Sequence, residues 1–525
     1  MNMKKILLFL TLFTGMILAG CNDSFLEKYP VTSLTEENAF KSYDNFKAFM
    51  WPCYEMFSNT NIATSTTAIG RNSHYMGDVY AGYLNQRGAS SQNKYAFQTV
   101  TNATSGNGWN FSTFIRRINL MLSHVDDSDM TEAEKNHWKA VGYFFHSFWY
   151  MELIDRFGDV PWIDKPLDET SEEAYGTRMP RLEVADKVLE RLQWAEQNIG
   201  DASVYEKKDG SNTINRDCVR AALSRFTLRE ATWRKYHELG SYDKYFEECI
   251  RVSKLLMADY PTLYYGTDGQ PAAGYGEMWT TEDLSKVQGV ILYQQWLETI
   301  KPGHSCYYEH TSSHDIEMHQ GTVDLYLCKD GKTISHSDQY QGDKDIYATF
   351  RNRDLRLLET VAPPYKVIPS ADNTSWEYTS DPKDREFMDI MGITRYTGFG
   401  GGNGEAGKHK VFPLMNWSTA ILKGMPHFFT NNGGQGFLVA RSGNYVYRYY
   451  NVWDNSKENE GTSDVPLFKI DEVMLNYAEA KFEKGGTGAE GFNQTVADLT
   501  INKLRDRVGV AHMKVAEINA GFDPK

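Results

Sequence analysis

The chain has 525 residues, 41% hydrophobic and 24% charged, with 55 basic against 69 acidic side chains and a formal net charge of −14. So acidic a chain is repelled by nucleic acid, and six scattered cysteines with no CxxC pair make neither a disulfide framework nor a zinc ribbon. The length exceeds what one ordinary core organises, which leaves a large single domain or a scaffold with substantial insertions.

Lys4 and Lys5 open the chain, an apolar run follows from Ile6 to Leu18, and Leu18-Ala19-Gly20-Cys21 comes next. A positive end, an apolar stretch and small residues in that order predict a signal peptide over residues 1–20. The run falls short of the ~20 apolar residues that span a bilayer, and polar Asn22, Asp23 and Ser24 follow at once. Leu-Ala-Gly-Cys resembles the bacterial lipobox, in which the cysteine becomes the acylated N-terminus. Cys21 is therefore the expected lipidation site, and loss of Lys4 and Lys5 with the signal leaves a mature body of net charge −16. Acyl chains contribute about 0.8 kcal/mol per buried methylene, so several on one cysteine anchor a protein without a membrane-spanning helix.

Thr131 followed by Glu134 reads as a capping box, after which Trp138, Val141, Phe145 and Phe148 recur at helical spacing. Ala140, Phe144, Met151 and Ile154 form a second apolar face, so this helix is expected to be buried. A second helix is predicted from Pro180 to Ile199 with Gly200 as its stop. A hairpin comes next: one helix after Asn215, carrying Val219, Ala222, Phe226, Trp233 and Tyr236 to Gly240, and another carrying Tyr245, Cys249, Val252 and Leu256 to Pro261. Near the C-terminus the arrangement recurs, with Ile470, Val473, Tyr477 and Ala480 leading to Gly485-Gly486, then Val496, Leu499, Leu504 and Val508. Repeated antiparallel hairpins of this length predict a mainly α fold, a tetratricopeptide-like helical-repeat scaffold.

Residues 261–465 break the pattern with Gly-, Asn- and Pro-rich punctuation, as at Gly398–Gly404 and Asn431–Gly434. A long irregular lobe inside a helical protein predicts a ligand-binding region held by a rigid scaffold. The expected division is signal peptide 1–20, lipidated N-terminus and scaffold 21–260, irregular binding lobe 261–465 and C-terminal repeat helices 466–525.

Several blocks, in order along nearly the whole chain, resemble the SusD/RagB family of nutrient-binding outer-membrane lipoproteins. They are Cys21 to Pro30; Trp138 to Pro161, which closes on Phe157-Gly158-Asp159-Val160-Pro161; Asn352-Arg353-Asp354-Leu355-Arg356; Asp464 to Ala480; and Ile501 to Gly509. Leu355 stands where the family prefers Pro and Lys469 where it prefers Arg. The chain stops at Lys525 before the Glu-Arg-rich helix with which the family continues, so a truncated C-terminus is expected. The resemblance implies a surface-exposed protein anchored in the outer membrane by its lipid. Such a protein binds oligosaccharides without cleaving them and hands them to a SusC-like TonB-dependent barrel.

A sugar binder needs exposed aromatic faces beside groups that bond hydroxyls. Asp78 to Arg87 mixes both, which makes Tyr80, Tyr83, Asn85 and Arg87 candidates, with Trp296, Tyr307 and Tyr308 as a second group. Each aromatic has an alternative as packing, in which case attention moves to Trp376 and Tyr378. His310, His314 and His319 lie among acidic residues, but the HExxH spacing is absent and Ser312, Ser313 and Gly321 favour a loop, so no metal is expected. Gly398–Gly404 lacks the Lys-Ser/Thr of a phosphate loop, and no cofactor is expected. Three rival classes remain: a binder of peptides or other nutrients in the same kind of complex, a glycoside hydrolase, whose two carboxylates need not be close in sequence, and a purely structural scaffold.

Overall fold

A computed structural model describes residues 40–58, 78, 81–86, 109–267, 269, 272–296, 316–372, 375–391, 394–395, 411–412, 421, 423–426, 442–446, 448, 463–519 and 522. The signal peptide, Cys21 and the Gly398–Gly404 run lie outside them. The N-terminal helix α1 (Tyr43–Met50) is followed by a tight turn, Trp51–Tyr54, and the short strand β1 (Leu84–Gln86). Helices α2 (Phe114–His124) and α3 (Glu132–Phe157) come next.

Helix α3 starts where its sequence says it should. The Thr131 hydroxyl accepts from the Glu134 amide, and the Glu134 carboxylate accepts from the Thr131 amide at 2.9 Å. Trp138, Phe144, Phe145, Phe148, Trp149, Tyr150 and Met151 are all buried, so the helix is enclosed on most of its circumference. Its exit explains the Phe-Gly-Asp-Val-Pro turn residue by residue. Gly158 takes φ +67, a conformation an L side chain resists; Asp159 accepts from the Arg181 amide at 2.8 Å; and Val160 forms a bridge with Met179. The Tyr150 hydroxyl donates to the Pro161 carbonyl at 2.9 Å and accepts from the Ile163 amide at 2.8 Å.

This turn launches α4 (Arg181–Asn198), which packs on α3 and is followed by the short α5 (Ala202–Asp209). Then comes the hairpin of α6 (Arg216–Tyr236) and α7 (Asp243–Asp259). The Asn215 side chain caps α6 by accepting from the Cys218 amide at 3.0 Å. Trp233 and Tyr236, expected on the apolar stripe, are instead exposed at the last turns of α6, where Arg181 lies over the Trp233 ring.

The chain then crosses into the lobe through β2 (Val290–Gln294), β3 (Ile316–Met318), the single-turn α8 (Gln320–Leu325), β4 (Tyr365–Pro369), β5 (Trp376–Tyr378) and β6 (Gly424–Met425). It returns through β7 (Val465–Lys469) into α9 (Ile470–Gly485), α10 (Gln494–Leu499) and α11 (Ile501–Asp506). Strands β2 and β7 pair antiparallel, Gln294 opposite Val465 and Tyr293 opposite Pro466, so the lobe leaves and rejoins the scaffold through one clasp. Inside it β4 is central in a three-stranded sheet between β5 and β6. The lobe has its own core, built on Trp296, Tyr365 and Trp376, which Trp279 from the segment before β2 and Val508 from beyond β7 help to fill.

Helix α9 packs on α7 and α6, closing a stack of hairpins across the sequence gap left by the lobe. Small polar residues permit the close approach: Ser224 and Ser253 hydroxyls lie 2.8 Å apart, and Asn476 donates to Ser224 at 3.1 Å. The final expected helix is broken in two, because Thr500 leaves helical geometry (φ −129, ψ −88) and exposes Leu499. Cys53, Cys218, Cys249 and Cys328 are free and buried, whereas Cys306 lies outside the described residues. No helix among the described residues is long and apolar enough to cross a membrane.

Candidate functional site

Tyr83 sits where three distant segments meet. Gly82, at φ +90, turns the chain so that the Tyr83 amide donates to the Asp78 carbonyl at 2.9 Å before β1 begins. Strand β1 then pairs antiparallel with β3, Leu84 opposite Met318 and Asn85 opposite Glu317. Leu84 and Met318 point into the lobe core, while the Tyr83 side chain is 48% exposed. Its carbonyl accepts from the His319 amide at 3.1 Å and from the Thr322 hydroxyl at 2.9 Å, which fixes the tyrosine to the start of α8.

The third segment, 442–446 with Arg448, closes the junction. The Met318 amide donates to the Asn444 carbonyl at 2.9 Å, and Glu317 bridges to Tyr445. The buried Glu317 carboxylate accepts from the Ser442 amide and hydroxyl at 2.8 and 2.9 Å. Asn444 donates to Gln320 at 3.2 Å, and Arg448 pairs with Asp78 at 2.5 Å. Paired, buried polar groups of this kind hold a site in one geometry without movement on binding. What they hold is an exposed aromatic face with amide, hydroxyl and imidazole groups on the neighbouring segments, the pairing that stacks on a sugar ring and bonds its hydroxyls.

The other predicted residues fall elsewhere. Asn85 lies in β1, two residues after Tyr83, and stands opposite Glu317 in the register. Tyr80, Arg87, Tyr307, Tyr308, His310 and His314 lie outside the described residues. Trp296 is only 8% exposed and packs in the lobe core, so its ring is not offered to solvent as a platform. Its amide donates to Asp464 at 3.1 Å, and the same carboxylate accepts from the Leu284 amide at 3.0 Å. Burial, with Asp283 and Glu282 nearby, pushes the Asp464 carboxyl up to about 7. Trp376 is fully buried, while Tyr378, beside it at 5.1 Å, is half-buried under the Arg385 guanidinium. Among the described residues no group of three or more His, Cys, Asp or Glu side chains is arranged to hold a metal ion. Ser442, Asn444 and Gln320 were not singled out by sequence, since only pairing across more than a hundred residues brings them to Tyr83.

A family model described as "SusD family" matches residues 298–523, and another, described as "Starch-binding associating with outer membrane", matches residues 24–228. The chain is 28% identical over 305 residues to SusD-like protein P2 of Formosa agariphila. That match covers 54% of each protein, so the chain spans about half the length of this relative. Among solved structures it is similar to a SusD-like carbohydrate binding protein from Bacteroides fragilis, with a TM-score of 0.59 and 17% identity over 92% of this chain and 82% of that one. A SusD superfamily protein from Parabacteroides distasonis gives a TM-score of 0.57 and 16% identity over 93% and 83%. At such identities the likeness establishes the fold, a mainly helical scaffold of the tetratricopeptide-like kind.

Proposed function

The chain belongs to the SusD/RagB family, and from that premise we propose that it is a surface glycan-binding lipoprotein. It captures oligosaccharides without hydrolysing them and delivers them to a SusC-like TonB-dependent barrel in the outer membrane. The observation that carries the reading is the pair of family matches, one at each end of the chain and one of them starch-binding by description. The rigid junction that displays Tyr83 supports it, because a binding protein without chemistry to perform needs a fixed stacking face more than it needs a mobile one. Lipidation at Cys21 would tether the acidic body to the membrane and place it facing the cell exterior.

Purified protein on affinity gels should be retarded by neutral polysaccharides and should release no new reducing ends from them. Retardation with hydrolysis would turn the reading toward a glycoside hydrolase, and retention of peptides alone would turn it toward peptide capture. Gentle extraction of outer membranes should recover a large barrel protein with it; recovery of the lipoprotein alone counts against delivery to such a partner.

A further inference from the structure

The Asn352-Arg353-Asp354 run has no direct bond to Tyr83, yet its three residues converge on the segment that follows α8. Asn352 sits at φ +56, which asparagine tolerates better than most residues, and its carbonyl accepts from the Lys329 amide at 2.8 Å. The Asp354 amide donates to the Leu327 carbonyl at 2.8 Å, and Arg353 forms an antiparallel bridge with Cys328. Between these main-chain ties the Arg353 side chain is enclosed, with 1% of the residue exposed.

The three hydrogen bonds of this guanidinium all go to main-chain carbonyls. Nη2 donates to Val323 at 2.6 Å and to Tyr326 at 2.8 Å, and Nη1 donates to Thr349 at 3.1 Å. Val323 lies in the last turn of α8 and Tyr326 just past it, where a helix leaves its carbonyls without internal partners. Arg353 is therefore the C-terminal cap of α8, and through Thr349 it ties that cap to the helix of Ile346–Phe350. Helix α8 depends on outside support. Its six residues are too few for a helix to hold itself in water, and Val323 is its one buried residue. A single buried side chain fixes how deep a helix sits but leaves it free to turn about that point. At the start of α8, about 9 Å from its end by helix rise, the Tyr83 carbonyl accepts from the His319 amide, and it accepts again from the Thr322 hydroxyl. A turn of α8 that follows loss of the cap would strain both bonds to the displayed tyrosine.

We propose that Arg353 is a positioning residue for the Tyr83 face, holding α8 in the orientation in which its start meets the tyrosine carbonyl. The proposal rests on the glycan-binding reading of that face, and two measurements on full-length protein in detergent keep the two apart. Arg353→Met keeps the apolar stem and removes the donors; Trp296→Ala, in the same lobe core, controls for loss of stability alone. In hydrogen exchange, the amides of residues 316–326 should exchange at least about tenfold faster in Arg353→Met, while those of 376–391 stay as in wild type. In calorimetric titration with maltoheptaose, laminarihexaose and xylohexaose, wild type should bind at least one probe. Arg353→Met should weaken that binding about two- to tenfold, no more than Tyr83→Ala does, and should weaken it no further in the Tyr83→Ala background. Folded Trp296→Ala should bind as wild type does.

Equal losses from Arg353→Met in the wild-type and Tyr83→Ala backgrounds overturn the proposal, because the arginine would then act independently of the tyrosine. Exchange that is unchanged in 316–326, or that quickens alike in 316–326 and 376–391, also overturns it and leaves Arg353 a stabilising residue of the lobe. Should Arg353→Met fail to fold, Arg353→Lys carries the same test, since one ammonium cannot reproduce the two-nitrogen fork and the same selective pattern is expected in smaller measure. If wild type binds no probe, the glycan reading falls, while selective exchange in 316–326 still upholds the link from Arg353 to the junction.

Discussion

Replacing Trp296 and Tyr83 by Ala, each in its own variant, sets a packed aromatic against a displayed one. An aromatic side chain offers about 200 Å² for burial, worth about 25 cal/mol per Å². At 8% exposure Trp296 hides nearly all of that area, so Trp296→Ala should cost about 4–5 kcal/mol of stability. Tyr83, at 48% exposure, hides about half, and since the extended-chain reference overstates burial its loss should cost about 1–2 kcal/mol. Binding should respond in the opposite order. A stacking contact contributes about 0.5–1.5 kcal/mol, so Tyr83→Ala should weaken oligosaccharide affinity about two- to tenfold, while Trp296→Ala that has folded should bind as wild type does. Urea denaturation gives the first pair of numbers and calorimetric titration the second. The reasoning fails if Tyr83→Ala is the more destabilised variant, or if folded Trp296→Ala loses affinity that Tyr83→Ala retains.

Asp464 predicts a pH effect whose sign follows from its raised folded-state pKa. Because the carboxyl ionises at about 7 when folded against an ordinary value of 3.8, the stabilisation is complete below about 4, falls as pH rises toward 7 and is flat above. Asp464→Asn removes that dependence, so its stability relative to wild type should climb by about 4 kcal/mol between pH 4 and 8, read from paired denaturation curves; a difference that stays constant over that range refutes it. Glu230 is fully buried between two guanidinium groups, accepting from Arg234 and Arg181 at 2.7 Å each. Glu230→Gln leaves two cations sharing less negative charge and should cost about 3–5 kcal/mol in the same assay, whereas a cost below about 1 kcal/mol would mean that neighbouring Asp186 and Asp155 already suffice.

Local features were legible in the sequence to the residue. The Thr131–Glu134 box and the helix start after Asn215 depend on groups within a few positions and stand where the sequence placed them, and the turn at Gly158 stands where the family resemblance placed it. Exposure at helix ends was less so: helical periodicity set Trp233, Tyr236 and Leu499 on apolar stripes, but it does not tell where the facing helix ends. The break at Thr500 has no proline or glycine to announce it. Least legible was the site. Strands of three to five residues give too few alternations to register, and their partners lie far off, β1 with β3 and β2 with β7. An aromatic in a polar segment therefore looked the same whether it ended displayed, as Tyr83 did, or enclosed, as Trp296 did.

The β2–β7 clasp makes the lobe a cassette. The chain between Gln294 and Val465 begins and ends at neighbouring points, so its length is almost decoupled from the helical stack beneath it. Doubling a closed segment costs only about 0.6 kcal/mol of closure entropy, less than one good cap or one buried methylene. Material can thus be added to or removed from the lobe's loops while α6, α7 and α9 keep the same neighbours. The loops of such a protein are free to drift in length and sequence, and its framework need not follow.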